Sequence, residues 1–220
     1  MNKKLTALAC AAAMALPFAG CNNAATTYTN YVRSVLDCTY YNEQTEYMEL
    51  TDSTAEEAQA VYDDEVEYMN HIIMYRYSVV EEELNGGIIT AYSDLSRQIL
   101  KKAKYTVEPA VRSGTTYHVT VSVEPMDYLD LAYDEIEEKY ENDFDARFQE
   151  AESDTAITAL ENEWAEFVLE TMKSHLDDIT YKDSVSTIVE ITTDDDGNFG
   201  ISDKDWLDID DLILDLDSNT

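Results

Sequence analysis

Residues 105–125 read YTVEPAVRSGTTYHVTVSVEP, and the change of period inside this stretch decides the fold class. Tyr117, Val119, Val121 and Val123 fall on one side of an extended chain. His118, Thr120, Ser122 and Glu124 fall on the other. That two-residue period belongs to a strand with one buried and one wetter face. Arg112-Ser113-Gly114 carries turn chemistry between the two halves, so the stretch is expected to form an antiparallel hairpin. Alternation returns in YKDSVSTIVEITT (181–193), breaks at Asp194–Asn198 and resumes in FGIS (199–202), which predicts a second hairpin.

Elsewhere the period is helical. Tyr28, Tyr31, Val32, Val35, Leu36 and Thr39 recur at helix spacing. Ser53 with Glu56, or Thr54 with Glu57, makes a capping box that starts a second long helix bearing Ala58, Val61, Tyr62, Met69, Ile72 and Ile73 on one face. Asn85-Gly86-Gly87 reads as a helix stop, because Asn and Gly tolerate the left-handed cap conformation. A further helix is expected from Thr90 to Lys104. Between the two β-hairpins, the stripe Leu129, Ala132, Tyr133, Ile136, Tyr140, Phe144, Phe148 and the stripe Ile157, Leu160, Trp164, Phe167, Val168, Thr171, Met172 predict two long antiparallel helices. A short acidic helix from Asp203 to Leu216, anchored by Trp206, Ile209 and Ile213, closes the chain. The expected class is α+β, with about four antiparallel strands backed by helices and a long helical hairpin between two β-hairpins. No linker composition interrupts residues 28–216, which read as a single domain.

The amino terminus gives an address. Lys3 and Lys4 precede an apolar run from Leu5 to Phe18, which is too short to span a bilayer and fits a secretory signal. Ala19 and Gly20 directly precede Cys21, as in a bacterial lipobox. The expectation is a lipoprotein signal peptide over residues 1–20, a lipidated Cys21 with a polar tether over 21–27, and attachment to the extracytoplasmic face of the cell membrane. Cys10 leaves with such a leader and Cys21 is acylated, so only Cys38 remains and an intramolecular disulfide is excluded. Cys38 lies in a helical pattern and reads as a small packed hydrophobe.

Composition excludes one class of partner. The formal net charge is −33, and removal of residues 1–20 takes two lysines and no acid, leaving 12 basic against 47 acidic side chains, or −35. Such a surface repels nucleic acid and attracts cations and basic partners, so a basic or cell-envelope partner is expected. With 45% hydrophobic residues and 16 tyrosines, the chain nonetheless has ample surface to bury.

YVRSVLDCTYYNEQTEYMELTDSTAEEAQAVYDDEVEY (31–68), KAKYTVEPAV (102–111) and DDDGNFGISDKDWLDIDDLIL (194–214) resemble, in that order, stretches of uncharacterised cell-surface lipoproteins of Gram-positive, largely gut-dwelling Firmicutes. The resemblance spans most of residues 28–215 and implies surface anchoring, with no activity to carry to any residue. A sheet backed by helices with a closing strand and helix is also similar to the NTF2-like folds, an analogy of fold alone.

Catalytic chemistry leaves little trace. His71, His118 and His175 are far apart in sequence, with no HExxH, no GxSxG and no phosphate-cradling glycine loop. An enzyme is not expected, and an envelope hydrolase stays only as an alternative. TTDDDGNFGISD (192–203) offers one metal pattern. With Gly197 at the obligatory glycine of a calcium loop, Asp194 and Asp196 occupy positions three and five, Phe199 the apolar position eight and Asp203 position twelve. Thr192 stands at position one, and the segment before it alternates like a strand, so a tight hairpin turn is the plainer reading. Two functions follow: a lipid-anchored binding module without a cofactor, or a calcium-dependent surface protein using the 192–203 loop.

Overall fold

A computed structural model describes residues 21–193 and 199–216, so the expected leader 1–20 and the turn residues Asp194–Asn198 lie outside the described residues. The class is α+β as the periodicities require. The described residues group into two compact units, one formed by 21–64, 103–125, 182–193 and 199–216, the other by 65–102 and 126–181. No linker composition marks these boundaries, and one falls inside a helix, which is why the sequence reads as continuous.

The first unit holds the sheet. Strands β1 (Tyr105–Val107), β2 (Val111–Ser113), β3 (Thr116–Val123), β4 (Val185–Thr193) and β5 (Phe199–Gly200) are ordered β1-β3-β4-β5, with β2 also paired to β3. Every pairing is antiparallel. The first hairpin contains a bulge. Val107 lies opposite Val121 and Val111 opposite His118, so four steps on one strand face three on the other. Pro109 sits in that interval and has no N–H to continue the ladder, which is where a bulge belongs. Gly114, at φ +64°, opens the two-residue connection between β2 and β3, the conformation that glycine adopts without strain.

Alternation along β3 and β4 sorts their faces. Val119, Val121, Val123, Val189 and Ile191 are buried, while Ser186, Ile188 and Glu190 are exposed. Two helices pack against β3 and its neighbours: α1 (Cys21–Tyr41) and α9 (Asp203–Ile213). In α1, Tyr31, Val32, Val35, Leu36 and Tyr40 bury one stripe; in α9, Ile209 and Ile213 do so. Residues 21–27, a tether by composition, are the first turns of α1. The unit also contains α2 (Gln44–Thr51) and the start of α3 (Ala55–Arg76). At that start the capping box forms as Thr54 with Glu57: Glu57 N donates to Thr54 Oγ1 at 3.2 Å, and Thr54 N donates to Glu57 Oε2 at 2.7 Å.

The second unit is helical among its described elements: the remainder of α3, α4 (Gly86–Leu100), α5 (Tyr128–Leu131), α6 (Tyr133–Lys139), α7 (Asp145–Glu150) and α8 (Asp154–Ser174). Asn85 corrects the sequence reading, for it starts a helix. Its side chain accepts from Gly87 N and Ile88 N as the N-cap of α4. The stop lies earlier, at Ser78, whose φ of +52° lets Val79 N reach Met74 O at 2.8 Å and Ser78 N reach Tyr75 O at 3.3 Å. That pair of bonds is a Schellman motif built on serine.

The first of the two long helices is broken between α5 and α6, and between α6 and α7 it passes through a π-turn, Tyr140–Phe144. The stripe explains the turn. Ile136, Tyr140, Phe144 and Phe148 repeat every four residues, and in a 3.6-residue helix each such step overshoots a full revolution by about 40°. A turn closed by i→i+5 bonds rotates less per residue, so one π-turn returns the stripe toward its neighbours. Phe144 thereby meets Trp164 at 5.0 Å between centroids, and Tyr140 meets it at 5.3 Å.

Buried tyrosines tie this unit together through backbone carbonyls: Tyr77 to Leu129 O at 2.7 Å, Tyr92 to Ala165 O at 2.8 Å, and Tyr128 to Met172 O at 2.7 Å. Substituting Tyr92→Phe removes one such bond without a cavity. The expected loss is about 1 kcal/mol, or about 2–4 °C in a calorimetric melt. An unchanged melting temperature would show that this hydroxyl contributes nothing net.

Candidate functional site

The calcium pattern and the closing helix meet around β4, β5 and α9, all in the first unit. Thr192 pairs with Gly200 and Thr193 with Phe199, so the segment folds as an antiparallel hairpin with a strand on its leading side. Phe199 is buried, with Tyr28 and Tyr31 edge-on to it at 5.0 and 4.9 Å. The residue at the apolar loop position is thus a core anchor. Ser202 caps α9 by accepting from Asp205 N at 3.1 Å, and Asp203 stands exposed in the first turn of the helix. Asp194 and Asp196 lie outside the described residues. Among the described residues no group of three or more His, Cys, Asp or Glu side chains is arranged to hold a metal.

The other singled-out residues disperse. Cys21 opens α1. Cys38 is fully buried, its thiol donating to Ala58 O. His71 is exposed beside Tyr75. His118 meets Glu190 across β3 and β4 at 3.3 Å. His175 lies between Asp178 at 3.3 Å and Glu135 at 3.4 Å. His118 and His175 thus each stand beside carboxylates of their own unit.

Two features, one in α9 and one along β4, are not announced by the sequence pattern. The first is Asp210, a carboxylate at 2% exposure on the inner face of an otherwise acidic helix. Tyr40 Oη donates to its Oδ1, the Trp206 side chain also hydrogen-bonds it, and the rings of Tyr40 and Trp206 stack at 6.3 Å. Burial pushes the Asp210 carboxyl up to about 7, the neighbouring Asp211 adds to the rise, and the hydrogen bonds from Tyr40 and Trp206 oppose it.

The second feature is the outer edge of β4. In an antiparallel ladder each residue turns both its N–H and its C=O toward one neighbour. Glu190 N donates to Asp205 Oδ2 at 3.1 Å, so residue 190 points away from β3. Thr192, of the same parity, pairs with β5. Ser186 and Ile188 share that parity, and no described element pairs with them on that side. Ile188 is 55% exposed and Val185 45%. Among the described residues the edge is thus closed at its carboxyl end by β5 and a carboxylate and open over Val185–Ile188 before them.

No family model matches the chain, and no curated protein matches it. In fold it is similar to the crystal structure of a Bacillus subtilis protein designated a putative lipoprotein (ycdA), with a TM-score of 0.56 and 10% identity over 86% of this chain and 56% of that one. The chain therefore spans little more than half the length of that neighbour, and the likeness is one of fold.

The Asp210 geometry has a testable sign. Folding raises this carboxyl from 3.8 to about 7, so between those values the native state holds more protons than the unfolded chain. Stability is favoured at the acid end and falls as pH climbs through the window. Asp210→Asn keeps an acceptor for Tyr40 and removes the titration. Its melting temperature relative to the parent chain should therefore rise from pH 5 to pH 8. A constant offset would mean that Asp210 does not titrate there.

Proposed function

We propose that this chain is a lipid-anchored extracytoplasmic binding module without a catalytic centre, related to the cell-surface lipoproteins of Gram-positive bacteria. The observation that carries the reading is the order Lys3-Lys4, apolar Leu5–Phe18, Ala19-Gly20-Cys21, directly ahead of a folded body. A protein of similar fold is itself designated a putative lipoprotein, which supports the same address. Among the described residues no helix is long and apolar enough to cross a membrane, so attachment in this reading rests on the acyl groups of Cys21. A diacylglyceryl cysteine supplies the two chains that stable anchoring needs.

The binding role follows from what the surface offers. His118 and His175 face separate carboxylates, whereas the acid-rich exterior and the open edge of β4 present charge and unpaired backbone, the means by which modules hold partners. Expressed in a Gram-positive host, the parent chain should label with a palmitate analogue and sediment with membranes. Cys21→Ser should lose the label and accumulate as precursor. Normal labelling of that variant would refute the anchor.

A further inference from the structure

We propose that the outer edge of β4, over Val185–Ile188, is a docking site for an extended basic peptide segment, which adds to the sheet as a strand. The inference deepens the reading of the chain as a binding module and rests on it.

Three observations support it. Ser186 and Ile188 aim their N–H and C=O groups away from β3, with no described partner. An edge of this kind is usually blunted by a charge, a proline or a bulge. Here the carboxylate of Asp205 blunts residue 190 alone, while Val185 and Ile188 place apolar side chains at the open part. An added strand gains ladder bonds at Ser186 and Ile188, and its alternate side chains fall beside Ile188 and, two residues on, beside Glu190.

Charge chooses the occupant. Asp183 precedes the strand, and Glu190 and Asp205 stand at its far end. The lysines flanking the hairpin are engaged, Lys182 with Asp215 and Lys204 with Asp208. Two copies of a chain carrying 33 net negative charges repel one another, whereas a segment with lysine or arginine at alternate positions is drawn in. The expected pattern is lysines on the face of Ile188 and Glu190, their stems over Ile188 and an ammonium toward Glu190, with apolar residues beside Val185 on the opposite face.

The test uses the full chain in detergent micelles and a fluorescein-labelled Lys-Val-Lys-Val-Lys-Val-Lys peptide, read by anisotropy. Saturable binding that weakens with salt is expected, with at least a tenfold loss when the peptide backbone is N-methylated. Ile188→Lys should also weaken binding at least tenfold. Ile188→Pro removes the outward N–H without touching the β3 ladder and should do the same, with circular dichroism reporting that both variants fold. Equal binding of the N-methylated peptide would reduce the effect to charge and overturn the proposal, as would no saturable binding. A dimer abolished by Ile188→Lys would give the edge to a second copy and overturn it too. The anchoring reading stands or falls on Cys21 labelling, so the two failures are distinguishable.

Discussion

A buried tyrosine usually needs a partner for its hydroxyl, and this chain, with 16 tyrosines, organises each unit around that demand. In the first unit Tyr41 donates to Ala103 O at 2.7 Å, Tyr105 to Asp37 at 2.7 Å and Tyr40 to Asp210. In the second, Tyr77, Tyr92, Tyr128 and Tyr181 each reach a main-chain carbonyl, and Trp164 Nε1 donates to Tyr77 O at 2.9 Å. A leucine core tolerates sliding; a core of directed donors does not, because each ring must end within hydrogen-bond reach of one oxygen. Burial also raises the phenol pKa values, Tyr77 to about 12 and Tyr92 and Tyr128 further, so these rings remain neutral donors.

The α9 helix shows how one short segment serves two environments. Its outer face carries Asp203 and Asp208 into solvent, and Asp205 turns back to cap a strand edge. Its inner face buries Ile209, Asp210 and Ile213. The buried acid is held by a ring from α1 and a ring from its own preceding turn, so α1 and α9 are joined by a polar contact inside an apolar layer. Such a contact specifies register between the helices in a way that apolar packing alone does not.

The α+β class was legible because strand and helix periods differ, and Val119, Val121 and Val123 follow the alternation residue by residue. Thr54 and Glu57 formed the capping box their spacing announced. Asn85-Gly86 misled because the same residues serve at either end of a helix; the choice depended on Ser78, which adopts the left-handed cap itself. The π-turn was implicit in the four-residue repeat of Ile136, Tyr140, Phe144 and Phe148, but the stripe looks continuous until its phase is counted. The open edge at Ser186 and Ile188 could not be read at all, since it depends on which strands pair with β4 and where β5 ends. Asp210 hid in a run of acids, for nothing in DIDDLIL distinguishes the one facing inward except its phase with Ile209 and Ile213.

Because α1 begins at Cys21, the acylation site proposed here and the first buried ring, Tyr28, are separated by helix rather than by loose chain. Seven helical residues span about 10 Å, where the same length extended would reach about 25 Å. Were Cys21 acylated as proposed, such a segment would act as a post rather than a leash. A leash lets a body tumble and sample all orientations above a bilayer; a post sets both height and facing. The direction in which β4 and α9 look out from the cell would then be decided by the tilt of a single helix.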